Sequence, residues 1–180
     1  MTDHVYHFTD TGRLPWIVAD GALIPGRNNS GRYPDPDFLW ATTNPRGSMS
    51  ATWSKEGYRQ QITRLVRFTL WACDFEPWLD VVGRYPAWTS GFVENLKLTA
   101  RGDHHIDWVA RVEPLQSIGW AAIHTKGYDG DWRPWAGSAM VLADDTLAIQ
   151  VDDALYESHR IGADRAAGQP MAYAVTRRRI

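Results

Sequence analysis

Apolar and polar positions along the chain fall into short alternating runs separated by Gly- and Pro-rich punctuation. Val5-Tyr6-His7-Phe8-Thr9 predicts a short strand. Asp10-Thr11-Gly12 then supplies a turn and cap for a helix over Leu14 to Asp20, with Pro15 in its first turn and Gly21 to end it. From Ala22 to Asp37 the chain carries Pro25, Gly26, Asn28, Asn29, Gly31, Pro34 and Pro36, with Arg27 and Arg32 among them. That is a long punctuated loop, of the kind that in compact domains is functional or mobile. Phe38 to Thr43 predicts a second strand, closed by Asn44-Pro45. A short helix is expected around Ala51 to Tyr58, and a strand buried on at least one side over Ile62 to Trp71.

Pro77, Gly83 and Pro86 break the next section into short pieces. Ser90 to Ala100 places Phe92, Val93, Leu96 and Leu98 at helical spacing, with Gly102 as a stop. Strands are expected over Ile106 to Leu115 and Ile118 to His124, a turn over Gly127 to Asp131, and a hairpin from Ala139–Leu142 and Thr146–Val151. Asp152-Asp153 is read as the cap of a helix running through about Ile161, and Thr176 to Ile180 as an arginine-bearing tail. Strands outnumber helices and follow one another late in the chain, so the class is α+β. No repeat or linker divides residues 1–180, which read as a single domain.

Composition narrows the function classes. With 44% hydrophobic and 22% charged residues over 180 positions, the chain has the makings of one sizeable core. A formal net charge of -2 argues against a protein that coats duplex DNA or an anionic membrane through overall charge. Cys73 is the single cysteine, so no internal disulfide or thiolate zinc cluster forms. It follows an apolar strand, which suggests a buried, inert thiol. No basic leader followed by an apolar core is present, and no apolar run approaches the roughly 20 residues of a membrane helix. A soluble, cytoplasmic protein without a membrane partner is the expectation. Ten tryptophans stand out; most are expected in the core and pocket walls, and some are available to stack on a base.

Three blocks carry candidate chemistry. In Tyr6-His7-Phe8-Thr9, strand alternation puts His7 and Thr9 on one face, where an imidazole and a hydroxyl can bond a ribose. In Trp40-Ala41-Thr42-Thr43-Asn44-Pro45-Arg46, a strand runs into a loop carrying a fixed cation suited to a pyrophosphate. In Asp103-His104-His105-Ile106-Asp107-Trp108, a carboxylate stands at the start of a strand beside a large ring.

In this order and spacing the blocks resemble the ADP-ribosyltransferase superfamily, and most closely its DarT-like branch of DNA-modifying enzymes. That branch opens with a His-containing strand and a short helix ending in Gly, like Tyr6 to Thr9 and Leu14 to Gly21 here. It continues into a Pro-Arg-x-x-Met element, like Pro45-Arg46-Gly47-Ser48-Met49, and completes its site with a carboxylate at a strand start, like Asp107-Trp108-Val109-Ala110. The likeness extends from His4 to His124 and leaves about 139–180 as an uncovered C-terminal extension.

The resemblance implies two small, mostly antiparallel sheets with short helices around a cleft that takes NAD as substrate. His7 and Thr9 would lie at the adenosine side, with Phe8, Trp40, Thr42 and Trp108 completing the NAD-binding set. Arg46 would stand near the phosphates or the reacting centre, and Asp107 would be the catalytic carboxylate, stabilising the positive charge that builds on the ribose as nicotinamide leaves. The family residue there is typically Glu, one methylene longer. Glu113, on the same face of the expected strand when counted by twos, is the reserve candidate. The acceptor implied is a base in single-stranded DNA or RNA, with Arg27, Arg32, Arg177, Arg178 and Arg179 as phosphate contacts or, equally, as solvated loop and tail residues. A toxin or defence role implies an antitoxin-type partner that removes ADP-ribose.

Two other readings stand beside this one. A metal-dependent hydrolase built on Asp103, His104, His105 and Asp107 would have two ligands on one face where a catalytic zinc wants three, so no metal residue is assigned. A catalytically degenerate fold that binds a nucleotide, nucleic acid or protein is the non-enzyme alternative.

Overall fold

A computed structural model describes residues 3–26, 33–47, 62–100, 105–127, 130–161 and 172–180. The alternating run at the N-terminus forms β1 (His4–Asp10), and Pro15 near the start and left-handed Gly21 after the end bound α1 (Leu14–Asp20). There follow β2 (Ala22–Leu23), β3 (Leu39–Thr42), β4 (Leu65–Trp71), β5 (Glu76–Pro77), α2 (Trp78–Val82), α3 (Ser90–Leu98), β6 (Trp108–Arg111), β7 (Leu115–Gln116), β8 (Trp120–Lys126) and β9 (Trp132–Pro134). The chain closes with β10 (Met140–Ala143), β11 (Thr146–Val151), β12 (Ala154–Ile161) and β13 (Ala172–Arg179). The class is α+β, and the paired strands are antiparallel.

A seven-stranded sheet runs in the order β5-β6-β3-β1-β4-β8-β9, and a four-stranded one in the order β10-β11-β12-β13. Registers such as Val5↔Leu70, His7↔Phe68 and Phe8↔Arg67 show which side chains share a face, because directly opposed residues of an antiparallel pair project the same way. Val5, Leu39, Ala41, Val66, Phe68 and Leu70 point inward and join Leu14, Ile149, Val151, Ala154 and Tyr156 in one core shared by α1 and both sheets. The outer face bears a second core, where Phe38, Trp108 and Ala110 pack with Trp78, Val81 and Val82 of α2, with Trp88, and with Leu96 of α3.

Four expectations are corrected. Asp152-Asp153 caps no helix: Asp152 adopts φ 50° in a hairpin turn, and the residues that follow are β12, paired from Ala154 to His159 with β11 on one side and along its whole length with β13 on the other. The arginine tail is therefore strand β13 and not a frayed end. The strand expected over Ile106 to Leu115 begins as a 3-10 turn at His105–Asp107 and ends at Arg111. Cys73 is exposed, because β4 stops at Trp71 and a 3-10 turn at Ala72–Asp74 carries the thiol outward. The helix expected over Ala51 to Tyr58 lies outside the described residues.

Candidate functional site

At the end of β3 the chain makes a turn that its residues specify. Asn44, Pro45, Arg46 and Gly47 occupy the four positions of a β-turn closed by the Gly47 N–H on the Asn44 carbonyl at 3.1 Å. Asn at the first position, Pro at the second and Gly at the fourth is the composition a type I turn favours. Two side chains lock it: Thr42 Oγ1 accepts from the Asn44 N–H at 3.2 Å, and Asn44 Oδ1 from the Arg46 N–H at 3.0 Å. The turn leaves the Arg46 side chain exposed.

The same end of the sheet receives Asp107. Thr42 is paired with Trp108, and one step on the Thr43 N–H donates to the Asp107 carbonyl at 2.9 Å, so the ladder continues into the 3-10 turn. That turn is held from behind by the Trp78 indole, which donates to the His105 carbonyl at 2.8 Å. Asp107 is half-buried. Among the described residues neither its carboxylate nor the Arg46 guanidinium has a hydrogen-bond or ion-pair partner. A fixed cation and a fixed carboxylate, both uncommitted, thus stand on adjoining turns.

The remaining candidates divide across the sheet. His7 and Thr9 project to the inner face, where Thr9 is buried and the His7 ring lies 6.3 Å from Phe68. Phe8, Trp40, Thr42 and Trp108 project to the outer face. Contact between the sets runs through one seam: β1 meets β3 at the single register pair Tyr6↔Thr42, and beyond it His7 Nδ1 lies 2.7 Å from the Trp40 carbonyl. A carbonyl only accepts, so Nδ1 carries the proton there. Trp40 and Trp108 pack with Trp78 at ring separations of 5.6 to 6.2 Å, which makes them walls of the second core as well as neighbours of the site. Asp107 precedes β6 in the 3-10 turn and Glu113 follows it, so the two do not share a strand. Glu113 is exposed beyond the opposite end of β6, where its carbonyl accepts from Arg111 Nε at 2.9 Å.

Arg27, Arg32, Asp103 and His104 lie outside the described residues. Within those that are described, no group of three or more His, Cys, Asp or Glu side chains gathers as a metal site. His105, one of the hydrolase candidates, has a buried Nδ1 without a partner and a ring packed edge-on to Trp78.

Sequence reasoning passed over a group on the outer face beside the Arg46 turn. Arg67 of β4 lies directly between Phe8 of β1 and His124 of β8. Its Nη1 donates to the Pro45 carbonyl at 2.8 Å, and its Cζ sits 5.3 Å from the Tyr6 ring and 4.7 Å from the Trp132 ring. Burial holds this guanidinium below the ordinary arginine range, against the opposing pull of Tyr6. Burial, and then the Arg67 charge, likewise push the His124 imidazole below the usual histidine value. The available signal was an arginine inside the apolar run Leu65-Val66-Arg67-Phe68.

No family model, curated protein or solved structure matches the chain.

Proposed function

We propose that the chain transfers ADP-ribose from NAD to an acceptor, preferably a nucleic-acid base. The carrying observation is the bond from the Thr43 N–H to the Asp107 carbonyl, which sets the Arg46 turn against the Asp107 turn with both charged groups uncommitted. In this reading the glycosidic bond between ribose C1′ and nicotinamide nitrogen breaks, and its electron pair leaves with nicotinamide. Asp107 stabilises the positive charge that develops on the ribose, and Arg46 offsets the phosphate charge nearby. A nitrogen or oxygen of the acceptor then bonds to C1′ and gives up its proton to water. Trp40, Thr42, Phe8 and Trp108 support the outer face of the site, and His7 braces the seam through the Trp40 carbonyl. A reducing cytoplasmic setting and a partner that removes ADP-ribose belong to the same proposal.

The test is incubation with NAD labelled in its adenosine, together with single-stranded DNA, RNA or lysate protein in turn. Label is expected on a nucleic acid, reduced by about 100- to 1000-fold in Asp107→Ala and strongly in Arg46→Ala. Intact NAD under every condition sinks the transferase reading. One observation favours the binding-only alternative: His7 and Thr9 face the inner core and not the Arg46 side. Binding of a nucleotide, nucleic acid or protein without nicotinamide release is the result that reading requires.

A further inference from the structure

We propose that Arg67 and His124 form a phosphate-binding site on the outer face of the seven-stranded sheet, contiguous with the Arg46 turn, that takes the pyrophosphate of the dinucleotide substrate. The inference deepens the reading above and rests on it for the identity of the ligand.

The argument starts from an unbalanced charge. Among the described residues no carboxylate acts on the Arg67 guanidinium; the group that bears on it electrostatically is the Tyr6 phenol. A half-buried cation without a counter-charge is costly, and aromatic contacts on Tyr6 and Trp132 offset only part of that cost. Its hydrogen bonding is incomplete as well. Nη1 is used by the Pro45 carbonyl, while Nε is shielded from solvent and has no partner. Directly opposite on the neighbouring strand, His124 Nδ1 is also shielded and without a partner.

Two unsatisfied ring and guanidine nitrogens on opposed residues are the complement of an oxyanion. Phosphate oxygens accept from a guanidinium in charge-assisted bonds, and their charge favours a protonated imidazole beside them. The Pro45 carbonyl is the group an incoming phosphate oxygen would displace from Nη1. Because Pro45 immediately precedes Arg46, the same ligand comes within reach of the second uncommitted cation. Tyr6, Phe8 and Trp132 line the site with rings; Phe8 and Trp132 lie 5.9 Å apart, centre to centre. Such a lining suits the flat parts of a nucleotide.

The experiment follows the His124 imidazole by NMR in the full chain while inorganic pyrophosphate is added, with Arg67→Gln and Arg67→Lys alongside. The expected result is that the His124 titration moves to higher pH with saturable pyrophosphate dependence in the parent protein, less in Arg67→Lys and not at all in Arg67→Gln. The parent titration needs no variant to fold. In the transfer assay, Arg67→Gln is expected to raise the KM for NAD by about 10- to 100-fold with kcat little changed. A His124 resonance indifferent to pyrophosphate overturns the site. So does NAD turnover in Arg67→Gln with unchanged KM, and that outcome leaves the transferase reading standing. Pyrophosphate binding through Arg67 with NAD never cleaved keeps the phosphate site and removes the transferase reading.

Discussion

At the scale of single residues, buried polar groups set the sharpest expectations. Trp16 Nε1 donates to Ser158 Oγ at 2.9 Å, and that hydroxyl donates onward to the Gly12 carbonyl at 2.6 Å, so one serine satisfies two groups on the far side of the core. Ser158→Ala strands both and is expected to cost about 1–3 kcal/mol in urea unfolding. Trp16→Phe instead removes one donor along with ring area, and the Ser158 hydroxyl keeps its acceptor. His124 yields a pH prediction. Its folded-state value lies below the ordinary one, so between the two values the unfolded chain binds more protons and stability rises with pH. The His124 contribution is complete above the unfolded histidine value, near 6.5, and is lost as pH falls toward the folded one. Stability measured across this window should rise less steeply in His124→Gln than in the parent protein; an unchanged slope would show that the imidazole is not desolvated.

At the scale of elements, legibility followed locality. α1 was readable because its boundaries are chemical: Pro15 in the first turn and Gly21 at φ 64° after the last. Nothing crowds a Cβ built on Gly21, whose nearest atom is Ser117 Oγ at 4.0 Å, so the cost of Gly21→Ala is conformational. About 1 kcal/mol is expected in thermal or urea unfolding; no loss would mean the helix end rearranges freely. The β10–β11 hairpin and the end of β3 at Asn44-Pro45 were legible for the same reason. β12 was not, since Asp152-Asp153 offers a helix cap and a hairpin turn equally well. The choice is made by pairing: β11, just across the Asp152-Asp153 turn, takes Ala154 to His159, and β13 takes every position of β12 from the other side. The site was half legible on the same grounds. Arg46 sits in the loop that Asn44-Pro45 opens after β3, as read, whereas the 3-10 turn that carries Asp107 was read as the start of a strand. That His7 and Thr9 face away from Trp40 and Trp108, and that Arg67 faces the Pro45 carbonyl, depends on register between strands far apart in sequence.

At the scale of the molecule, the question is whether the two sheets unfold together. They share one apolar core, and a polar clamp crosses between them at its edge. Arg64, buried just before β4, sends Nη1 to Asp152 Oδ2 at 2.6 Å in the β11–β12 turn, while its backbone N–H and carbonyl are both taken by Thr11. Arg133 approaches the same carboxylate at 3.5 Å. Removing the charge from Asp152 leaves a buried guanidinium without this carboxylate, which is a larger penalty than losing an exposed pair. Asp152→Asn is the informative change, because Asn tolerates the left-handed backbone that Asp152 adopts at φ 50° and matches its volume. We expect it to cost about 1–3 kcal/mol, and a cycle with Arg64→Met to show most of that as coupling between the two positions. If the shared core makes the sheets one cooperative unit, the variant unfolds in a single transition at lower urea with an unchanged slope. If the clamp rather than the core joins them, amide exchange in β11 to β13 accelerates well before that in β1 and β4, and the urea curve splits in two.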